Sequence, residues 1–258
     1  MSTSGNSLSD AFVKSEVNNG ISSITFFHPA SNSLPGNILS KLSDAIRKAG
    51  EANDVRVIIL RSEGDRAFCA GASFDELLAI NNEAEGHQFF SGFANVINEI
   101  RTCPKFVLGR VHGKAVGGGV GLAAAVDHCF ATQFASIKLS ELAIGIGPFV
   151  VGPAVERKLG TSGFSQLTID ATSWKTAEWA AQYGLYSEVF DSAKDMDFAI
   201  HELAKRLAAS SPEAMTELKK NFWTGTEDWD TLLKERAAIS GRLVLSDFTK
   251  KAIKAFKK

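Results

Sequence analysis

The amino-acid sequence predicts an α/β fold for the part of the chain before Gly152 and an almost entirely helical region after it. Two β-prone runs, residues 12–17 and 21–27, flank the pair Asn19-Gly20, which is a strong signal for a β-hairpin. The apolar run Val55–Leu60 has the composition of a buried parallel strand. After Gly152, the apolar residues recur at helical spacing.

The segment after the hairpin predicts the first helix. From Pro35 onward, apolar residues such as Ile38, Leu42 and Ile46 fall on one face of a helix, and Gly50 lies near its predicted end. The buried strand Val55–Leu60 follows directly. Strand, helix and strand therefore alternate by residue 60, as in parallel α/β units.

The same alternation continues to Leu139. A helix with apolar residues from Phe89 to Ile100 ends before Pro104, and Phe106–Val111 reads as a second buried strand. An Ala-rich helix, Val120–Val126, follows a glycine cluster. Shorter strand-like runs cover residues 68–71, 129–132 and 137–139, and the later helices are predicted at 153–169, 174–183, 195–209, 212–223, 227–240 and 246–257.

Composition excludes several classes of protein. The 258 residues are 45% apolar, which is enough to bury a core without disulfides or metal ions. The net charge of −1 does not indicate nucleic-acid binding, and three unevenly spaced cysteines predict reduced thiols. The N-terminus lacks a secretory signal and no apolar run is long enough to span a membrane, so we expect a cytoplasmic protein.

Two segments combine small residues with predicted turns. The small residues Ala70, Gly71 and Ala72 follow a short strand, and another molecule could approach their backbone closely. The glycines of Gly117–Gly121 precede a helix, where unpaired backbone N–H groups favour negative charge. Tight packing between helices and strands is the alternative explanation for both segments.

The third segment contains an isolated acidic residue. Glu141 lies in a run that otherwise consists mostly of apolar residues and glycine. Partial burial there would raise its pKa and suit it to general acid/base catalysis near neutral pH. The alternative is an exposed glutamate at a helix start, interacting with the helix dipole.

A dinucleotide site is another interpretation of the glycine segment. Residues Gly119–Ala124 fit the pattern G-x-G-x-x-A, and Glu141 follows about 20 residues later, which would make the chain a nicotinamide-dependent enzyme. The pattern should follow a strand directly, whereas Gly117 and Gly118 intervene. This feature weakens the interpretation.

Taken in order, the three segments resemble the crotonase superfamily, also called the enoyl-CoA hydratase/isomerase family. The matching pieces are Ala67–Ala72, Gly117–Gly119, and Ser140–Leu142 followed by Gly145 and Pro148. The resemblance implies an α/β crotonase-like (ClpP/crotonase) superhelix of ββα units. It also implies an acyl-CoA substrate, no cofactor beyond the coenzyme A of that substrate, and a homotrimer or dimer of trimers.

The resemblance further implies a division of the chain and a set of site residues. Residues 1–190 would form the core with the coenzyme A and oxyanion site, and residues 191–258 a helical trimerisation region. The backbone N–H groups of Ala70 and Gly118 would stabilise a thioester enolate, with Glu141 as the catalytic base. Residues expected to contact coenzyme A are Ala30, Ser31, Ser33, Ala70, Gly71, Ala72, Ser73, Lys257 and Lys258; the two lysines could instead belong to a solvated helix face.

The sequence departs from the family pattern at Gly121. Hydratases of this family use two glutamates to hold and activate water, and Gly121 occupies the position of the first. A single Glu141 favours an enoyl-CoA isomerase, which needs only one base. A second acid could come from Asp75 or Glu76, and Phe149–Val151 would form an apolar wall near the acyl chain.

Two other interpretations remain open at this point. One is an enoyl-CoA hydratase for a short or branched substrate such as methylglutaconyl-CoA. The other is a non-catalytic member of the fold that binds coenzyme A or RNA, for which the missing glutamate and the lysine-rich C-terminus are the motivation. In addition, Ser73 stands where the family usually has aspartate, so the contacts at that edge of the site are not predicted.

Overall fold

The computed structural model describes residues 10–256, and it confirms the α/β order that the sequence predicts. The elements are β1 (Phe12–Asn18), β2 (Ile21–Phe27), α1 (Gly36–Glu51), β3 (Val57–Ser62), β4 (Ala67–Cys69), α2 (Phe74–Ala79), α3 (Glu83–Thr102), β5 (Val107–Val111), β6 (Lys114–Val116), α4 (Gly118–Ala125), β7 (His128–Thr132), β8 (Ile137–Lys138), a 3₁₀ turn (Leu142–Ile144), α5 (Gly152–Ile169), α6 (Ala177–Gln182), β9 (Glu188–Phe190), α7 (Ala193–Ala208), α8 (Pro212–Phe222), α9 (Trp229–Leu243) and α10 (Asp247–Phe256).

The strands form two sheets. A six-stranded sheet has the order β1-β2-β3-β5-β7-β9, and a three-stranded sheet has the order β4-β6-β8. The hairpin β1-β2 is antiparallel, and its turn residues Asn19 and Gly20 have positive φ of 49° and 78°, as the Asn-Gly signal predicts. The remaining strand pairs are parallel.

The larger sheet is covered on both faces. Ile58 and Leu60 of β3 belong to the core shared with α1, α3 and α4, whereas Val57 and Ile59 face the helices α7 and α8. This double coverage explains why the strand is a continuous apolar run rather than an alternating one. Among the residues from 10 to 256, no helix is both long and apolar enough to cross a membrane.

Two strands, β6 and β9, were not predicted, and each is only three residues long. No element was predicted between the helices 174–183 and 195–209, but Val189 pairs with Ala131 there and extends the larger sheet. Pairing also shortens a predicted helix: Lys175 bridges Ile137, so α6 begins at Ala177 rather than at residue 174. Strands this short have no detectable sequence period, and only their partners define them.

The late helices pack on the rest of the same chain. Helix α9 lies along α3 so closely that a Cβ atom on Gly86 would be 2.7 Å from the Cα of Gly241. Helix α10 contacts the 3₁₀ turn, where a Cβ atom on Gly145 would be 2.4 Å from Cδ1 of Phe248. The boundary at residue 190 and the trimerisation role of 191–258 stay predictions.

A buried ion pair attaches α8 to the larger sheet. Lys219 Nζ lies 2.9 Å from Oδ2 of Asp127 and donates to the carbonyl of Lys105 at 2.7 Å. The same carboxylate accepts from the N–H of Val107 at 2.7 Å and from Nε1 of Trp223 at 3.1 Å. The side chains of Lys219 and Asp127 are only 3% and 5% exposed, so water cannot replace these contacts.

We expect Lys219→Met to reduce the free energy of unfolding by about 3–5 kcal/mol, because it leaves the buried Asp127 carboxylate without its cation. Urea denaturation followed by circular dichroism would measure the change. The matched control is Lys220→Met, which removes an exposed ion pair with Glu217 and should cost at most about 1 kcal/mol. Equal losses in the two variants would contradict the structural role given to the buried pair.

Candidate active site

The three segments singled out in the sequence line one cavity of about 80 Å³. They follow the strands β4, β6 and β8, which are parallel, so their carboxyl ends meet at one edge of the smaller sheet. The residues that these segments contribute are Ala70, Gly71, Ala72, Val116, Gly117, Gly118, Ser140 and Glu141. The remaining lining residues are Phe74, Leu77, Phe90, Phe93, Ile144, Ile146, Gly147, Pro148, Phe149, Val150, Val151 and Ser240.

The first segment requires a correction to the predicted oxyanion donor. The N–H of Ala70 already donates to the carbonyl of Ser31 at 3.1 Å, so it is not free for a ligand. The chain then turns at Gly71, whose φ is +89° and whose N–H faces Sγ of Cys69 at 3.4 Å. Within the described part of the chain, the next amide, that of Ala72, has no hydrogen-bond acceptor. Ala72, rather than Ala70, therefore presents the free N–H.

The second segment supplies another free amide. Gly118 is the first residue of α4, and its N–H has no acceptor among residues 10–256. A Cβ atom placed on Gly71 would lie 3.6 Å from the nitrogen of Gly118, so the two segments meet closely. On the other side, a Cβ atom on Gly118 would lie 2.1 Å from Cε1 of Phe93. Only glycine fits between these neighbours.

Glu141 provides the carboxyl group of the cavity. Its Oε2 atom is buried and has no hydrogen-bond partner within the described residues. Burial raises the pKa of Glu141 from 4.5 to about 7. Its carbonyl accepts from the N–H of Ile146 at 3.0 Å, and this bond fixes the loop that carries the side chain. The prediction of a partly desolvated carboxyl is confirmed, and the alternative of an exposed helix-start glutamate is wrong.

Gly121 faces a hydrophobic side chain. A Cβ atom on Gly121 would lie 2.4 Å from Cγ1 of Val151, so the valine occupies the space that a longer side chain would need. Glu76, considered as a second acid, accepts from the N–H of Gly36 at 2.8 Å and lines a different groove. Asp75 does not line the cavity either. Glu141 is thus the single ionisable side chain among the described lining residues.

The segment predicted to contact coenzyme A is anchored beside β4. Asn32, with a φ of +57°, donates from Nδ2 to the carbonyls of Glu63 at 2.8 Å and Ala67 at 2.9 Å. Its neighbours Ala30 and Ser31 are exposed, whereas Ser33 is buried against His28, with 3.3 Å between its Oγ and the ring Nδ1. The anchoring role of Asn32 was not predicted, and the coenzyme A contacts of Ala30, Ser31 and Ser33 stay predictions.

Other predicted contact residues have different surroundings. Ser73 is the N-cap of α2, where its Oγ accepts from the N–H of Glu76 at 3.4 Å, and it does not line the cavity. Lys257 and Lys258 lie outside the described residues. Phe93 and Ser240 line the cavity but were not predicted to do so. Helical spacing indicated only that Phe93 is buried, and no sequence signal brings α9 to the cavity.

The arrangement combines three chemical properties. A carboxyl with a pKa near 7 can both accept and return a proton at neutral pH. The free amides of Ala72 and Gly118 border the same cavity and can donate to a negatively charged oxygen. The predicted apolar residues Phe149–Val151 also line it, and a dry wall strengthens such electrostatic contacts. The cavity suits proton abstraction next to a carbonyl group.

Comparison with known proteins identifies a single family. The family described as enoyl-CoA hydratase/isomerase matches residues 16–257. The chain is 32% identical over 200 residues to the mitochondrial methylglutaconyl-CoA hydratase of Mus musculus, covering 76% of this chain and 63% of that protein. It is 28% identical over 229 residues to the short-chain-enoyl-CoA hydratase of Clostridium acetobutylicum, covering 88% and 87%.

Isomerases and solved structures are also similar. The peroxisomal Delta(3,5)-Delta(2,4)-dienoyl-CoA isomerase of Arabidopsis thaliana is 28% identical over 203 residues, which cover 73% of this chain and 71% of that protein. The crystal structure of enoyl-CoA hydratase from Bacillus halodurans superposes with a TM-score of 0.87 at 23% identity, covering 94% of this chain and 99% of that one. This likeness concerns the fold.

Proposed function

The chain belongs to the enoyl-CoA hydratase/isomerase family, the crotonase superfamily, and we propose that within it the chain is an enoyl-CoA isomerase. The reaction would move a double bond from C3 to C2 of a short acyl-CoA thioester. The observation that carries this proposal is the lone carboxyl of Glu141 in an otherwise uncharged cavity. Such a reaction uses no cofactor besides the coenzyme A of the substrate.

The proposed reaction requires one base and two amide donors. Glu141 removes a proton from C2 of the 3-enoyl thioester, and the electron pair delocalises onto the thioester oxygen. The amides of Ala72 and Gly118 donate to that oxygen, where negative charge develops. The protonated Glu141 then delivers the same proton to C4, and the double bond forms between C2 and C3. No atom is gained or lost, and the carboxylate is regenerated.

Hydration is the alternative activity, and the cavity argues against it. Adding water to a double bond requires a group that holds and deprotonates the water while another protonates the α-carbon. At position 121 the available space is taken by the methyl group of Val151. Glu141 alone would have to perform both roles. A single carboxyl is sufficient for the isomerase reaction, in which the same proton leaves and returns.

A methylglutaconyl substrate is also disfavoured. The acyl group of methylglutaconyl-CoA carries a second carboxylate, and burying this charge requires a cation or several donors. The described lining residues include no Lys, Arg or His. The cavity volume of about 80 Å³ likewise suits a short apolar acyl group.

Two four-carbon substrates test the proposal directly. With 3-butenoyl-CoA, we expect the absorbance of the conjugated enoyl thioester to increase, because the product is crotonyl-CoA. With crotonyl-CoA alone, the absorbance should stay constant. Loss of absorbance from crotonyl-CoA would identify a hydratase and overturn the proposal. If neither substrate reacts but free coenzyme A raises the melting temperature, the non-catalytic binding interpretation is favoured instead.

The position of Val151 predicts how a second carboxylate could be accommodated. Gly121→Glu alone should destabilise the protein, because even its Cβ atom would overlap Val151. Combined with Val151→Ala, the glutamate has room, and we expect crotonyl-CoA hydration at least about 10-fold above that of the parent. Val151→Ala alone is the control and should not hydrate. If Val151→Ala alone hydrates crotonyl-CoA, the bulk of Val151 rather than the missing carboxylate prevents hydration in the parent.

A further inference from the structure

A cluster of basic side chains lies on the face of the larger sheet that α7 covers, opposite the face with α1, α3 and α4. Arg61 and Arg110 are register partners at the ends of the parallel strands β3 and β5. They follow Ile59 and Leu108, which pack in the core shared with α7. His112 comes two residues after Arg110, which places it on the same side of the chain. We call Arg61, Arg110 and His112 the basic cluster.

The positive charge of the basic cluster is only partly neutralised. Arg110 forms a bidentate pair with Asp197 of α7, with 2.9 Å between Nη2 and Oδ2. Burial and the adjacent Arg110 lower the pKa of Arg61, and Asp197 opposes this shift more strongly than Glu63 and Glu16 do. Within the part of the chain that the structure describes, Arg61 forms no ion pair with any of these carboxylates. The two guanidinium groups on adjacent strands therefore have one contacting carboxylate between them, and it pairs with Arg110 alone.

The same cluster contains unsatisfied polar atoms. Nε of Arg61 and both ring nitrogens of His112 are buried and have no hydrogen-bond partner within residues 10–256. His112 is only 8% exposed. Burial and the adjacent arginines lower the pKa of His112 to about 4, so its ring is neutral at neutral pH. Buried polar groups normally have partners, and the Nε–H of Arg61 and the single N–H of the neutral His112 ring are two donors here without an acceptor.

We propose that the basic cluster binds an oxyanion, a phosphate or a carboxylate group, which accepts hydrogen bonds from Arg61 and His112 beside the Arg110–Asp197 pair. The planar guanidinium group matches the geometry of both anions. The carboxyl ends of parallel strands are the usual place for ligands in α/β folds. Arg61 is partly exposed, and its two terminal guanidinium nitrogens are not among the buried unpaired atoms, so these nitrogens are where an anion would first contact the cluster. This site is separate from the cavity of Glu141 and does not depend on the proposed activity.

Thermal unfolding in phosphate tests the proposal. Potassium phosphate would be raised to about 50 mM while potassium chloride holds the ionic strength constant, since ligands that bind the native state raise the melting temperature. We expect a saturable rise of about 3 °C in the parent. The rise should be absent in Arg61→Gln and His112→Phe. It should persist in Lys138→Gln, a control that removes a partly exposed cation from the smaller sheet.

Sedimentation of the same variants distinguishes the source of the oxyanion. If phosphate has no effect but Arg61→Gln lowers the oligomeric state, a carboxylate of a second copy occupies the basic cluster. If phosphate acts as expected and the oligomeric state is unchanged, the ligand is a free anion. The proposal is overturned if phosphate stabilises all variants equally, because it then binds elsewhere. It is also overturned if Arg61→Gln changes neither property.

Discussion

Replacing Glu141 by glutamine should lower kcat of the proposed isomerase by about 10⁴-fold, at the upper end of the effect of a general acid/base. The glutamine side chain has the same shape but cannot accept the proton from C2 or return it to C4. Affinity for the acyl-CoA should change little, because the substrate would be held by backbone amides and apolar walls. The matched control is Glu76→Gln, a carboxylate outside the cavity, which should retain parent activity.

The pH dependence of kcat/KM provides an independent check on the role of Glu141. The pKa of this carboxyl is about 7, and only its ionised form can accept a proton. We therefore expect kcat/KM to be constant well above pH 7, to be half-maximal near pH 7 and to fall tenfold per pH unit well below it. A profile without an inflection near 7, or a glutamine variant with parent activity, would remove Glu141 from the mechanism.

The same substitution should make the protein more stable at alkaline pH. Because the folded-state pKa lies above the ordinary 4.5, the folded state binds the proton more tightly, and this stabilisation is lost as the pH rises toward 7. The shift corresponds to at most about 3 kcal/mol. Glu141→Gln avoids the buried charge, so its free energy of unfolding should exceed that of the parent by the largest amount at pH 8.5. At pH 5 most of this difference should be gone. Urea denaturation at both pH values measures it.

Much of the fold and part of the candidate site can be predicted from the sequence because they depend on local features. The Asn19-Gly20 turn, the apolar strand of β3 and the glycines before α4 each have short-range signals, and the structure confirms these elements. The environment of Glu141 was also predictable, since apolar residues surround it in sequence. Such signals identify which residues are small, buried or charged.

The errors in the sequence interpretation come from contacts between distant segments. Ala70 was predicted as an oxyanion donor from the resemblance to the crotonase superfamily, but its N–H donates to the carbonyl of Ser31. Whether Gly121 leaves room for another group depends on Val151, which lies on a different segment. The strand β9 exists only because it pairs with β7. No local sequence pattern contains this information, so the hydrogen-bond partners and the free space could be identified only from the three-dimensional structure.

The close contact between Gly118 and Phe93 leads to the second large expected effect. Gly118→Ala should lower kcat by about 10²–10³-fold, the usual effect of losing one oxyanion donor. The substitution keeps the N–H group, but its Cβ atom would lie 2.1 Å from Cε1 of Phe93 and would push the amide away from the cavity. Gly36→Ala is the control, because its Cβ atom would meet only Oε2 of Glu76 at an ordinary 3.5 Å.

A compensating substitution separates the position of the amide from general damage to the fold. In the double variant Gly118→Ala/Phe93→Leu, the smaller leucine vacates the volume that the new methyl group needs, so the amide can return toward the cavity. We expect kcat to recover at least about 10-fold relative to Gly118→Ala, even though the loss of aromatic packing lowers the free energy of unfolding by about 1 kcal/mol. If the double variant gains activity while losing stability, the activity of Gly118→Ala is limited by the position of the amide and not by general damage to the fold. A double variant that is no more active than Gly118→Ala would mean that the steric conflict does not control the amide. Full activity in Gly118→Ala itself would exclude this amide as a donor.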